Sequence, residues 1–446
     1  MKKASVLRTI LMALGPVLAC GPSEAVNFDR SRISPYTLED PLVFVDGGRV
    51  NTPAQWEHRR QEILSIFARE MYGRVPPEPE ALVTELVNEK TSAGGKAILR
   101  QYRMWFTKDM RGPCVNWIVF SPAAAEGKTP VILFLNYKGN HELTRDPDVP
   151  VMTAWSRNGG GVENNRISPL TRGCMADPKS DWHFPLELIL DRGYAVMSAC
   201  YCEISPDPNR DQDEPNVRFR QDAFAYTGIF ELWGRRDPGR TDDITAVGAW
   251  AWVLSRGLDL AARVPGIDIR RSVVTGCSRL GKTALLAAAR DERFAVCVPV
   301  QTGGGGCPLA KRDFGEDVAS ENVNFTHWYC KAYRKYSSEP WKTMPFDQHL
   351  LLASIAPRAL LVQGFNMDWF DPEGEFLACR AAAPVWKFLG RGTMPDVPYP
   401  QTDSRAAIGR HLGFVRRDGG HGINLDDWRR LLDFSDGVFK GKAVCE

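Results

Sequence analysis

Charge imbalance is almost missing from this chain. Its 446 residues carry 56 Lys and Arg against 54 Asp and Glu, a net charge of +2. So even a balance supplies no field to gather a polyanion, which argues against nucleic acid or an anionic membrane surface as partner. Beyond the N-terminus, no apolar run reaches the ~20 residues of a membrane-spanning helix. Zinc-ligand spacing is missing too. The 11 cysteines form no CxxC pair and no Cys/His cluster, and Cys200 and Cys202 sit too close together in a run that reads as a strand. Internal repeats and low-complexity linkers are also absent, so a repeat array is excluded. Histidine is scarce, at seven, which shortens the search for a general base.

What remains is ordinary for a globular chain, with 43% hydrophobic and 25% charged residues. The 13 tryptophans suit sugar faces, but most are expected in the core. Lys2 and Lys3 followed by a mostly apolar stretch over 9–18 read as an export signal within residues 1–25. Two processing readings stand. Val17-Leu18-Ala19-Cys20 is a loose lipoprotein box that would leave Cys20 lipidated, and Ser23-Glu24-Ala25 is an ordinary cleavage site. The expected location is secreted or periplasmic, with an outer-membrane lipoprotein as the alternative. Export makes disulfides candidates, although most of the cysteines read as small buried hydrophobes.

Residues 26–446 read as one α/β domain. Thr52 and Pro53 open a helix over 54–72, stopped by Gly73 and Pro76-Pro77. Alternation over 81–122 around Gly94-Gly95 predicts antiparallel strands. Apolar runs at 130–136, 194–202, 272–275, 294–300 and 359–364 predict buried strands, and 241–264 a helix. This alternation predicts a mainly parallel central sheet with helices on both faces, a three-layer sandwich. Two long segments, 140–184 and 303–346, interrupt it and read as substrate-binding loops.

Within 271–290 a buried strand turns sharply through Gly276-Cys277-Ser278-Arg279 into a helix. A serine on such a turn is the nucleophile elbow of the α/β-hydrolase fold. The usual second glycine, two residues after the serine, is Leu280 here, and the next glycine is Gly281. Ser278 as a plain helix N-cap is the competing reading. Chain order in this fold is serine, acid, histidine. Of His327, His349, His411 and His421, only the last two follow the strand at 359–364. His421 lies in the flexible Asp418-Gly419-Gly420-His421-Gly422 loop, whereas His411 begins an edge strand. Asp368 follows the same 359–364 strand and is the expected acid. Asp371, before Pro372, is its competitor and reads as a turn-former. Oxyanion donors are expected from the Arg279 N–H and from the Asn136–Asn140 loop, with the Arg279 guanidinium as a side-chain contributor. Lys282, one turn after Ser278, either faces the same pocket or is a surface charge.

The run Gly276-Cys-Ser-Arg-Leu-Gly-Lys282 resembles the G-C-S-R-x-G-K signature of glucuronoyl esterases, carbohydrate esterase family fifteen. Further blocks resemble the bacterial members in order: Val298–Gly306, Arg312–Glu316, His327-Trp328-Tyr329, Pro345–His349, Ala356-Pro-Arg358, Asp371–Phe376 and Gly420–Trp428. N-terminal Leu38–Leu42 and Glu70–Pro76 also fit. The resemblance implies a serine esterase that cleaves the ester between a glucuronic acid carboxyl and an alcohol. Its substrate would be glucuronoxylan or a lignin–carbohydrate ester, met by a monomer without metal or organic cofactor. It implies Ser278 as nucleophile, His421 as base and Arg279 at the oxyanion. Lys282 and Glu316 would bind sugar hydroxyls, beside Trp369 or Phe370. Gln301 stands where fungal members carry the acidic Glu, which leaves Asp368 as the acid. Gly422 follows His421, so the fungal disulfide to Cys277 lacks its partner, while Cys307 and Cys379 are a candidate bridge. Another carbohydrate esterase, such as one deacetylating xylan, is disfavoured by Lys282 and Glu316. A non-catalytic sugar-binding relative is disfavoured by the presence of serine, histidine and acid.

Overall fold

The computed structural model describes residues 26–155, 169–208, 225–338 and 343–440. The signal reading of 1–25, with Cys20, lies outside them. Nine strands form one sheet in the order β1-β2-β3-β5-β4-β6-β7-β8-β9. They are β1 Val83–Ser92, β2 Ala97–Trp105, β3 Cys114–Pro122, β4 Thr129–Asn136, β5 Ala195–Cys200, β6 Ile267–Cys277, β7 Val296–Val300, β8 Ala359–Phe365 and β9 Leu412–Arg417. From β5 through β4, β6, β7 and β8 to β9 every neighbouring pair is parallel. β1 to β3 form an antiparallel extension that joins at β5. The α-helices are α1 Pro53–Phe67, α2 Leu186–Asp191, α3 Tyr201–Ile204, α4 Ala246–Ala261, α5 Arg279–Arg290, α6 Val318–Asn324, α7 Gln348–Ala353, α8 Pro372–Phe388 and α9 Leu425–Lys440.

The layers follow from strand alternation. On β4, Val131, Leu133 and Leu135 point into a core built with α1, α4, α5, α7 and α8. Ile132 and Phe134 point into the opposite core with α2 and α9. Both faces are therefore covered, which explains why β4, β5, β7 and β8 are buried along their whole length and mostly apolar. This is the α/β-hydrolase arrangement. No helix among the described residues is long and apolar enough to cross a membrane.

Several boundaries differ from expectation. α1 has its Thr52–Gln55 capping box but ends at Phe67, and Ala68–Tyr72 widens into a π-helical turn. Gly73 then turns at φ 75° with the Asp243 carbonyl so near that a Cβ would sit 2.1 Å from it. α4 starts later than composition suggested because Thr245 caps it, accepting from the Gly248 N–H while its hydroxyl donates to the Tyr72 carbonyl at 2.7 Å. β5 stops at Cys200, so Cys202 belongs to α3 and not to a strand. The nine described cysteines are free thiols, so the candidate Cys307–Cys379 bridge is not formed. Both thiols are buried beside Glu375, behaving as the small hydrophobes that free cysteines usually are.

Candidate active site

The carboxyl ends of the parallel strands gather the chemistry, as open α/β sheets do at their crevice edge. Ser278 follows β6, Gln301 follows β7, residues 366–371 follow β8 and His421 follows β9. Ser278 holds φ 58°, ψ −131° and makes no side-chain cap bond to α5. The N-cap reading is thereby excluded. A non-glycine residue at positive φ costs about 1–3 kcal/mol and persists only where neighbours enforce it. Here the Ser278 N–H donates to the Val300 carbonyl at 2.9 Å. Close packing also explains the displaced glycine. A Cβ on Gly276 would lie 2.3 Å from the Leu280 carbonyl oxygen, and one on Gly281 would lie 2.9 Å from that of Gly276. The two glycines let helix and strand touch across the elbow.

His421 is partly buried between aromatic rings. Phe370 and Phe365 lie 4.7 and 5.6 Å away by ring centroids, and Trp182 stands edge-on at 5.6 Å. Its Nδ1 is 2.8 Å from Oε1 of Gln301. That oxygen also accepts the Gly422 N–H at 2.9 Å. A backbone N–H only donates, so the amide must turn its oxygen, not its NH2, to this side. Nδ1 must then carry the proton, and Nε2 keeps the lone pair a general base needs. The imidazole pKa is lowered to about 4, chiefly by burial and then by the positive charges of Arg417 and Lys282.

The oxyanion side is unusual. The Arg279 N–H opens α5, where a helix leaves its first N–H groups unsatisfied. The expected second backbone donor is not offered by Tyr137, Lys138 or Gly139. Tyr137 and Lys138 N–H groups both donate to Glu142 Oε1, at 2.9 and 3.1 Å, and the Gly139 N–H to Asn136 Oδ1 at 3.0 Å. The Arg279 guanidinium is a side-chain donor group next to the elbow. Its Nη1 is paired with Asp207, and its plane lies 5.1 Å from the Trp328 ring centroid. Lys282 is no surface charge. It is 1% exposed, with Nζ 2.9 Å from Glu321 Oε1 and 3.6 Å from Glu316 Oε2, over the Trp328 ring. These carboxylates and their charge raise the Lys282 pKa against the burial that would lower it. Burial raises both acids, Glu321 to about 7.

A fungal glucuronyl esterase family profile matches residues 227–390. A prokaryotic protein described as carbohydrate esterase MZ0003 is 34% identical over 426 residues, covering 94% of this chain and 93% of that one. The chain belongs to the glucuronoyl esterases, carbohydrate esterase family 15. A 4-O-methyl-glucuronoyl methylesterase 1 of Phanerochaete chrysosporium is 35% identical, covering 79% of this chain and 62% of that protein. Among solved structures, a glucuronoyl esterase from Solibacter usitatus is 32% identical with TM-score 0.82, over 92% of this chain and 100% of that one.

In this glucuronoyl esterase Asp368 is not beside the histidine, contrary to expectation. Its carboxylate, half exposed, pairs with Arg30 at 3.1 Å. The short 3-10 turn Asp368–Phe370 aims it outward and turns Phe370 in. Asp371 caps α8 through the Gly374 N–H and pairs with Arg312, so the turn-former reading describes it. The two adjacent aromatics divide. Phe370 faces His421, and Trp369 leans on Phe28 at 6.2 Å. Glu316 is wedged against Gly303 and Gly304, where Cβ atoms would lie 2.5 Å from its Oε2 and 2.4 Å from its carbonyl. Asp207, Glu321, Trp182 and Glu142 escaped the sequence reading. Only the Ser/Pro-rich run around Asp207 carried even a turn signal.

Proposed function

We propose that this esterase is a serine hydrolase that cleaves the ester between a 4-O-methyl-glucuronic acid side group of xylan and a lignin alcohol. The observation carrying the reading is Ser278. It is a strained serine with no side-chain cap bond, at a helix N-terminus, beside the Arg279 guanidinium. Ser278 Oγ attacks the ester carbonyl while His421 Nε2 takes its proton. The Arg279 N–H and guanidinium receive the oxyanion. Collapse expels the alcohol, which leaves with the proton from His421. Water, deprotonated by the same imidazole, then releases the acid and restores Ser278. Gln301 accepts the Nδ1–H throughout and fixes the ring. Lys282 and Glu316 suit sugar hydroxyls, because the esterified carboxyl is neutral, and Phe370 with Trp369 gives the sugar an apolar wall. The methylesterase name of the Phanerochaete relative supports the acid half of the substrate. We further propose export through residues 1–25, a lipid anchor at Cys20 being the alternative, and a monomer folded as one catalytic domain over 26–446.

Purified protein should hydrolyse benzyl or methyl glucuronate, and Ser278→Ala should abolish turnover. Equal or greater activity on acetylated xylan at the same enzyme level would overturn the substrate assignment.

A further inference from the structure

Asp207 is a fully buried carboxylate in the loop after α3, and the catalytic steps above do not use it. Both its oxygens are crowded with donors. Oδ2 takes Arg279 Nη1 and the Tyr201 hydroxyl, the latter at 3.1 Å. Oδ1 lies 2.8 Å from His327 Nε2 and takes the Trp328 indole N–H at 2.7 Å. Three parts of the chain meet on this one side chain: the end of the β5 connection, the elbow, and the long segment between β7 and β8. We infer that Asp207 is the positioning residue that holds the Arg279 guanidinium in its oxyanion-binding pose, an inference that rests on the role proposed for Arg279.

An arginine side chain is long and flexible, and an oxyanion donor works only if aimed before charge develops. Asp207 constrains Arg279 twice. It binds Nη1 directly, and through the Trp328 indole N–H it fixes the ring on which the guanidinium lies. Nε of Arg279 is buried and has no protein partner, so Asp207 supplies the hydrogen bond that fixes this guanidinium. The consumed backbone donors of the Tyr137–Gly139 loop make this aim consequential, since no N–H there substitutes for a guanidinium that swings away.

The test is a double-mutant cycle read by steady-state kinetics. Asp207→Asn keeps shape and one acceptor oxygen, and should lower kcat by about tenfold to a hundredfold with little change in KM, as loss of aim at a transition-state donor does. Arg279→Ala should lower kcat at least as far. In the Arg279→Ala background, Asp207→Asn should cost less than about threefold more. If the two losses multiply, Asp207 acts through the general fold and the inference fails. Asp207→Asn alone withdraws the charge that faces the Arg279 guanidinium, whereas Arg279→Ala/Asp207→Asn removes both charges and is the safer variant for folding. Comparing it with Arg279→Ala alone decides the question: equal kcat/KM supports positioning, and a further loss beyond about tenfold overturns it. Activity in Ser278→Ala would sink the reading of the site itself. A dead Ser278→Ala with a multiplicative cycle would sink only this inference.

Discussion

Gln301→Glu restores a negative charge where the imidazolium must form. In the wild type Nδ1 faces a neutral amide oxygen at 2.8 Å, and the imidazole pKa sits at about 4. The acid limb of kcat/KM should therefore lie near pH 4, with a flat profile through neutrality. Glutamate keeps the acceptor oxygen for His421 and Gly422 and puts its second oxygen in place of Nε2, which has no protein partner. Opposite unit charges about 4 Å apart attract by about 4 kcal/mol at an effective dielectric near 20. Part of that is lost to desolvating the new carboxylate. Neighbouring opposite charges move a pKa by about 1–3, so the limb should move to between about pH 5 and 7. The same attraction favours the imidazolium of the transition state, so the plateau should rise about tenfold, each ~1.4 kcal/mol being one decade. Gln301→Leu removes the acceptor and should lower the plateau by about a hundredfold or more. Initial rates on benzyl glucuronate from pH 3.5 to 9 measure limb and plateau together. An unmoved limb with an unchanged plateau in Gln301→Glu would refute the contact and the tautomer argument built on it.

Asp368→Asn should leave kcat/KM within about twofold of wild type, because an exposed pair with Arg30 contributes little; a hundredfold loss would return Asp368 to the acid's role. Glu375 offers a stability test. Burial lifts its carboxyl from 4.5 to about 8, so between those values the folded chain holds a proton the unfolded chain has released. Its contribution is fully present below the unfolded pKa and is lost as pH rises through about 8. Glutamine mimics the protonated acid, so the Tm of Glu375→Gln should gain on wild type steadily between pH 5 and 8; a difference that does not change over that range would refute the buried protonated state.

The mainly parallel sheet was legible because β4, β5, β7 and β8 are buried along their whole length and mostly apolar; the order of its strands was not, since pairing partners come from distant parts of the chain. The histidine was read from the chain order of the fold, and His421 does follow β9 at the strand ends where Ser278 follows β6. The acid was misread because the chain order that places it after β8 says nothing about where a three-residue turn points. Asp368–Phe370 sends the carboxylate out to Arg30, far away in sequence, and sends Phe370 in. Gln301 was read as a lost charge, but an amide oxygen still accepts, and the Gly422 N–H that orients it is invisible in the sequence. Lys282 was left between pocket and surface because its partners Glu316 and Glu321 come from another segment.

These departures compensate one another chemically. The tetrahedral intermediate separates charge, with an imidazolium on one side and an oxyanion on the other. On the histidine side the usual carboxylate is replaced by an amide, and Arg417 and Lys282 add positive charge, so the imidazolium is costly to form. On the oxyanion side the Tyr137 and Lys138 N–H groups are spent on Glu142, and the Arg279 guanidinium is the donor proposed above. A guanidinium adds the attraction of its full positive charge to the hydrogen bond it donates to an oxyanion. The guanidinium can therefore offset at the oxyanion part of what the amide fails to give at the imidazolium. On this reasoning Arg279→Ala should cost less in a Gln301→Glu background than in the wild type, because the restored carboxylate takes up part of the stabilisation. Equal losses in both backgrounds would mean that the two halves of the site act independently.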